Sequence, residues 1–128
     1  MIFRDPLTDV ESFRISTLKV NGKALYGVPD IVYRNAKTGE IMIVEIKASN
    51  AEVPLDGWPN LRTQLWCYAQ IDQWADAPKI TLVGQVWKPG ATTLRKTLIW
   101  DNASRSFQEG CRNLFDAYAK CEIRMVKK

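Results

Sequence analysis

Hydrophobic positions along the chain fall first into strand-like and then into helix-like spacing. Phe13 to Val20 alternates weakly and meets Asn21-Gly22, a dipeptide preferred in two-residue hairpin turns because both residues accept positive φ. Ala24 to Tyr33 reads as the returning strand, antiparallel to the first. Arg34 to Gly39 is a turn by composition, and Ile41 to Lys47 is an apolar, branched run typical of a central strand covered on both faces. These three strands are expected to form a meander.

Ala48 to Pro59 holds two prolines, a glycine and Trp58, and reads as a loop leaving that strand. Asn60 can cap a helix in which Leu61, Leu65, Tyr68, Ile71 or Asp72, and Ala75 recur at helical spacing up to Pro78. Ile80 to Trp87 and Thr93 to Trp100 read as two further strands around a Lys88-Pro89-Gly90 turn. From Ser104 to about Met125, the residues Phe107, Cys111, Leu114, Tyr118, Cys121 and Met125 make one apolar stripe of an amphipathic helix. The expected order is βββαββα, an α/β (α+β) arrangement, with room for a short helical turn around Leu7 to Glu11.

A chain of 128 residues has room for one hydrophobic core, so residues 1–128 are expected to be a single domain. Its hydrophobic fraction of 46% and charged fraction of 25% exclude a disordered or fibrous class. No apolar run approaches the roughly 20 residues that span a bilayer, and the first residues lack a signal-peptide pattern. A cytoplasmic protein without a membrane partner is the expectation.

Cys67, Cys111 and Cys121 are odd in number and form no C-x-x-C pair, which argues against a disulfide framework, a zinc knuckle or an iron-sulfur cluster. Reduced, partly buried thiols are expected. Histidine is absent, which removes Ser-His and Cys-His nucleophiles, histidine metal sites and imidazole acid-base chemistry together. Any catalysis must rest on carboxylates and lysine. The net charge of +4 and pI near 9.1 favour a polyanionic partner, although an ordinary solvated basic surface accounts for that charge equally well.

Glu45 and Lys47 stand two apart on a strand, so both side chains leave one face with Cα atoms roughly 6 to 7 Å apart. Charges in so apolar a run are expensive to bury unless they are paired or bind a metal; a strand that simply ends at Val44 would instead leave both solvated. Asp30, in Gly27-Val-Pro-Asp, lies beside them if the 34–40 turn closes the hairpin. Two converging carboxylates with nearby oxygens suit a hard cation such as Mg²⁺ or Mn²⁺. The bland alternative for Pro29-Asp30 is a strand-entry proline followed by a turn aspartate.

Pro29-Asp30, followed fifteen positions later by Glu45-Ile46-Lys47 closing a hydrophobic strand, resembles the signature of the PD-(D/E)XK nuclease superfamily. Gln64 and Tyr68, one turn apart on the next helix, resemble the Q-x-x-x-Y motif of its RecB-type branch. The resemblance covers approximately Ser12 to Ile99. It implies a restriction-endonuclease-like core, with a mixed central sheet of about five strands flanked by helices and a site at the end of a bent hairpin. It also implies a Mg²⁺- or Mn²⁺-dependent nuclease acting on nucleic acid, with DNA the expected substrate. In that scheme Asp30, Glu45 and the main-chain carbonyl of Ile46 hold the metal, with Glu11 as an additional upstream acidic ligand. Lys47 orients the attacking water, and Gln64 and Tyr68 position Lys47 or the substrate phosphate. The chain departs from the family in lacking a full N-terminal helix, the histidine before the first strand and the cluster-binding cysteines. Help from a homo-oligomer or a larger DNA-processing complex is expected. Two rivals stand beside this reading: a catalytically inactive nucleic-acid-binding module that retains the fold and stacks bases on Trp58 in an exposed loop, and a structural or protein-interaction domain.

Overall fold

The computed structural model of the chain describes residues 12–90 and 92–125, with side chains through residue 117. Its elements are β1 (Phe13–Val20), β2 (Lys23–Gly27), β3 (Ile31–Arg34), β4 (Ile41–Ala48), α1 (Pro59–Ala69), β5 (Ile80–Trp87), β6 (Leu94–Asp101) and α2 (Arg105–Met125). The fold is α+β: a four-stranded mixed sheet in the order β3-β4-β5-β6, a separate two-stranded sheet β1-β2, and two helices. The Leu7 to Glu11 turn lies outside the described residues.

The β1-β2 hairpin closes as expected, with Asn21 at φ 56 and Gly22 at φ 77. The returning strand does not run on to Tyr33. Pro29 has no N–H to give a ladder and fixes its own φ, and the chain leaves regular pairing at Val28–Asp30. As a result β2 pairs with β1 while β3 pairs antiparallel with β4, Ile31 opposite Val44. One expected strand is thus two strands in different sheets, and the meander of three is replaced by two hairpins.

Strands β4 and β5 run parallel, Glu45 beside Gly84 and Lys47 beside Val86. The chain crosses between them through α1, which carries Leu61, Leu65 and Trp66 into the core. Its first helical residue is Pro59, preceded by Trp58 as N-cap, so Asn60 sits inside the first turn rather than capping it. The helix ends at Ala69, well before Pro78, because tertiary bonds displace continuation. The Trp74 indole donates to the Tyr68 carbonyl at 2.9 Å, and the Asp72 carboxylate accepts from the Ser16 backbone N–H at 2.9 Å. Ile71 and Trp74 thereby bury against the hairpin, where Trp74 meets Phe13 at a centroid distance of 5.1 Å.

The core lies on one face of the four-stranded sheet, where Ile41, Ile43, Leu82, Leu98 and Trp100 meet both helices and β1. α2 closes it through Cys111 and Phe115, the latter 5.9 Å from Trp66. The opposite face is different from expectation. The alternate positions Tyr33, Met42, Ile46 and Ile99 are exposed, while Val44 and Val83 between them are buried, so the apolar run of β4 is covered continuously on the helix side and only at its centre on the other. No described helix is long and apolar enough to cross a membrane.

Candidate active site

β4 outruns its neighbour β3. Beyond Ile31 opposite Val44 no described strand pairs with the outer edge of β4, and the Ile46 N–H needs another partner there. The Asp30 carboxylate takes that place, its Oδ2 accepting from Ile46 N at 2.8 Å. In a strand the N–H and C=O of one residue leave the same edge, so the Ile46 carbonyl is directed to the Asp30 side as well. The Pro29 break that split the expected strand therefore delivers Asp30 to the open edge of the central strand.

Strand alternation turns Glu45 and Lys47 to the core face together, and Lys47 Nζ lies 3.4 Å from Glu45 Oε2. Glu45 is 5% exposed. Its pKa is pushed from an ordinary 4.5 to about 7, foremost by burial, then by the charge of Asp30 and a side-chain hydrogen bond with it, with Lys47 pulling the other way. Glu45 is thus partly protonated near neutral pH, chiefly because it is buried and because the Asp30 charge lies nearby. Glu45 Oε1 is buried with no hydrogen-bond partner, a costly state for a carboxylate oxygen.

Gln64 and Tyr68 form an i, i+4 pair as expected, but their bonds run elsewhere than to Lys47. Gln64 Nε2 donates to the Tyr68 hydroxyl at 3.0 Å, and that hydroxyl donates to the Val28 carbonyl at 3.4 Å. The pair braces the main chain two residues before Asp30. Burial, with the nearby Glu45 charge, pushes the Tyr68 phenol up to about 12, so it stays a neutral donor. Lys47 and Gln64 share the wall of a cleft of about 350 Å³ with Ser49, Asn60, Leu61 and Trp58. Trp58 is half-buried against the core rather than exposed in a loop.

Two glycines that the motif reading passed over make the site possible. A Cβ on Gly27 would stand 2.8 Å from Tyr68 Cδ1, and one on Gly84, beside Glu45, would stand 2.9 Å from Leu61 Cδ2. Isolated glycines in strand sequences signal close approach, and that was the available clue. Gly27→Ala is expected to push the Tyr68 ring off its position and to destabilise the fold by about 1 to 3 kcal/mol, read from the urea midpoint. An unchanged midpoint would mean that Tyr68 is not wedged there. Arg95 was also unforeseen: its guanidinium donates to the Ser49 and Ala51 carbonyls and fixes the loop that leaves β4.

The donors present fit a hard divalent cation. Asp30 and Glu45 supply two carboxylates, the Ile46 carbonyl faces the same edge, and the orphaned Glu45 oxygen lacks a partner. No group of three or more His, Cys, Asp or Glu converges among the described residues, and Mg²⁺ characteristically takes one or two carboxylates and keeps its waters. Glu11 lies outside the described residues. Cys67 and Cys111 are free thiols, and burial pushes Cys67 up to about 12, which keeps it an unreactive thiol; the Cys121 side chain lies outside the described residues.

No protein-family description matches the chain, and no curated protein matches it. Among solved structures the chain is similar to the crystal structure of SSO0001, with a TM-score of 0.46 and 21% identity over 86% of this chain and 47% of that one. The chain therefore spans about half the length of that structure, and a likeness at this level carries over neither fold family nor chemistry.

Proposed function

We propose that the chain is a metal-dependent nuclease of the PD-(D/E)XK type, RecB-like in its helix motif and restriction-endonuclease-like in its core, that hydrolyses phosphodiester bonds of nucleic acid, DNA in the first instance. The observation that carries the proposal is the buried Glu45 carboxyl, its Oε2 3.4 Å from Lys47 Nζ and its Oε1 without a hydrogen-bond partner, with the Asp30 charge beside it. Asp30, Glu45 and the Ile46 carbonyl would hold Mg²⁺ or Mn²⁺. Such an ion polarises a phosphate and makes water a nucleophile near neutral pH. Lys47, about two-fifths exposed at its side chain, reaches from Glu45 into the cleft, where its ammonium can orient water and stabilise charge gathering on phosphate oxygens. Gln64 and Tyr68 act at one remove, by holding Val28 and through it Asp30. The test is calorimetric: Mn²⁺ binds the wild type and Lys47→Ala, and fails to bind Asp30→Asn. Equal binding by Asp30→Asn removes the proposed ligand set.

One observation favours a second reading. Asp30 has a structural task in capping Ile46 N–H, which a catalytically inactive nucleic-acid-binding module would also need. Both readings share an expected weak and salt-sensitive affinity, since a chain of net charge +4 neutralises few phosphates. With about three neutralised, binding falls roughly 40-fold between 50 and 200 mM salt. Fluorescence anisotropy with a labelled oligonucleotide measures it, and affinity that ignores salt would remove the phosphate-tracking surface from both.

A further inference from the structure

The β1-β2 hairpin carries most of the chain's charge imbalance. Of the 18 lysines and arginines and 14 acidic residues in the chain, residues 12–29 hold three basic and no acidic ones, Arg14, Lys19 and Lys23. The remainder is close to neutral, so most of the net charge of +4 sits on this one element. All three basic side chains are exposed. An aromatic ring stands among them. Tyr26 is 58% exposed and pairs directly opposite Arg14, which puts both side chains on one face of the ladder. Lys19 shares that face: it lies opposite Ala24, and strand alternation turns positions 24 and 26 the same way. Lys23, beside the Asn21-Gly22 turn, adds its charge at the hairpin tip. The other face holds Phe13, Ile15 and Leu18 in the core. Asp72 lies near Arg14, but its Oδ1 is already held by the Ser16 N–H at 2.9 Å and the Ser16 hydroxyl at 2.8 Å.

We propose that this hairpin is a guide for nucleic acid, in which Arg14, Lys19 and Lys23 bind phosphates of the strand flanking the cut and Tyr26 stacks on an unpaired base. Chemistry favours this occupant. A strand with charged backbone and flat bases uses both parts of the surface, the cations and the ring, whereas an acidic peptide would engage the cations alone. Position favours it too. Tyr26 is four residues before Asp30, at most about 14 Å along the chain. The stretch between them is fixed, with Gly27 against the Tyr68 ring and the Val28 carbonyl accepting from the Tyr68 hydroxyl at 3.4 Å. A strand on the hairpin is therefore held at a set distance from the proposed centre. The choice of partner rests on the nucleic-acid reading of that centre; the surface itself does not.

Fluorescence anisotropy with a labelled single-stranded oligonucleotide, in excess chelator so that nothing is cut, tests the guide apart from the chemistry. Three phosphates on a single strand make wild-type affinity fall roughly 20-fold between 50 and 200 mM salt, and Lys19→Gln combined with Lys23→Gln should cut that fall to about threefold. Tyr26→Ala should weaken binding about tenfold or more and leave the salt dependence as it was, while Tyr26→Phe keeps wild-type affinity. Lys37→Gln combined with Lys88→Gln, at exposed basic positions elsewhere, should change neither. The substituted side chains are all exposed, so the thermal midpoint should hold throughout. Hairpin variants that bind as tightly and as salt-sensitively as the wild type overturn the proposal. So does displacement of the oligonucleotide by polyglutamate as effective as by unlabelled oligonucleotide of equal charge, which would make the hairpin a site for any polyanion. Cleavage in Mg²⁺ by a wild type whose hairpin variants bind normally would keep the nuclease and remove the guide; loss of binding by those variants when the wild type never cuts would keep the guide and remove the nuclease.

Discussion

Asp30→Asn or Glu45→Gln is expected to abolish cleavage, with a loss of at least about 10³-fold, while Lys47→Ala slows it by about 10² to 10³-fold and leaves Mn²⁺ binding largely intact. The asymmetry follows from the different position of each group. Asp30 at the outer edge of β4 and Glu45 on its core face are the acidic donors of the proposed centre, and an amide is a poor replacement for an anionic ligand of a hard cation. Lys47 contacts that pair through Glu45 Oε2 but carries no donor for a cation. Gel assays of a labelled strand alongside Mn²⁺ calorimetry separate the two kinds of loss. If Lys47→Ala abolished metal binding as fully as Glu45→Gln, the lysine would have to be a scaffold for the carboxylates, and its proposed task at the phosphate would be wrong. Asp30→Asn has a built-in complication, since Asp30 also accepts from Ile46 N–H. An asparagine oxygen can keep that bond, so folding should survive.

The second large effect concerns stability against pH without metal. Glu45 titrates at about 7 in the folded chain against an ordinary 4.5, so between those values the folded state holds a proton that the unfolded state has released. The stabilisation from that proton is complete below about pH 4.5 and is lost as pH rises through about 7, which is stability falling with pH where the native state binds more protons. In excess chelator the thermal midpoint should therefore drop from pH 5 to pH 8. Glu45→Gln mimics the protonated carboxyl and should flatten that slope, melting above the wild type at pH 8. Mn²⁺ competes with the proton on Glu45, so it should raise the wild-type midpoint far more at pH 8 than at pH 5. A wild-type midpoint that climbs steadily from pH 5 to pH 8 in chelator would mean that Glu45 ionises freely and is not held protonated by its burial.

What was legible in the sequence was local. Asn21-Gly22 closes its hairpin because both residues tolerate left-handed φ, the two-residue period puts Glu45 and Lys47 on one face, and the four-residue helical spacing joins Gln64 to Tyr68. Each depends on residues within one turn or one strand. The misread features depend on partners far along the chain. Pro29 could be read as a strand entry; that it ends one sheet and starts another depends on β2 preferring β1 and β3 preferring β4. The spacing of Ile71 and Ala75 continues a helix on paper, yet Trp74 and Asp72 are engaged by Tyr68 and Ser16. The apolar run of β4 gives no sign of which faces are covered within the chain, since Met42 and Ile46 look as buried in sequence as Ile43. The roles of Gln64 and Tyr68 were misplaced for the same reason: spacing says that they meet, and only the fold says that their bonds end on Val28.

Cleavage of labelled single- and double-stranded DNA and RNA by the wild type, in Mg²⁺, in Mn²⁺ and in excess chelator, tests the central claim most directly. The account predicts products from at least one nucleic acid with either metal and none in chelator. Equal cutting in chelator would contradict a metal held by Asp30 and Glu45, and intact substrate under every condition despite salt-sensitive binding would replace the nuclease with the inactive binding module.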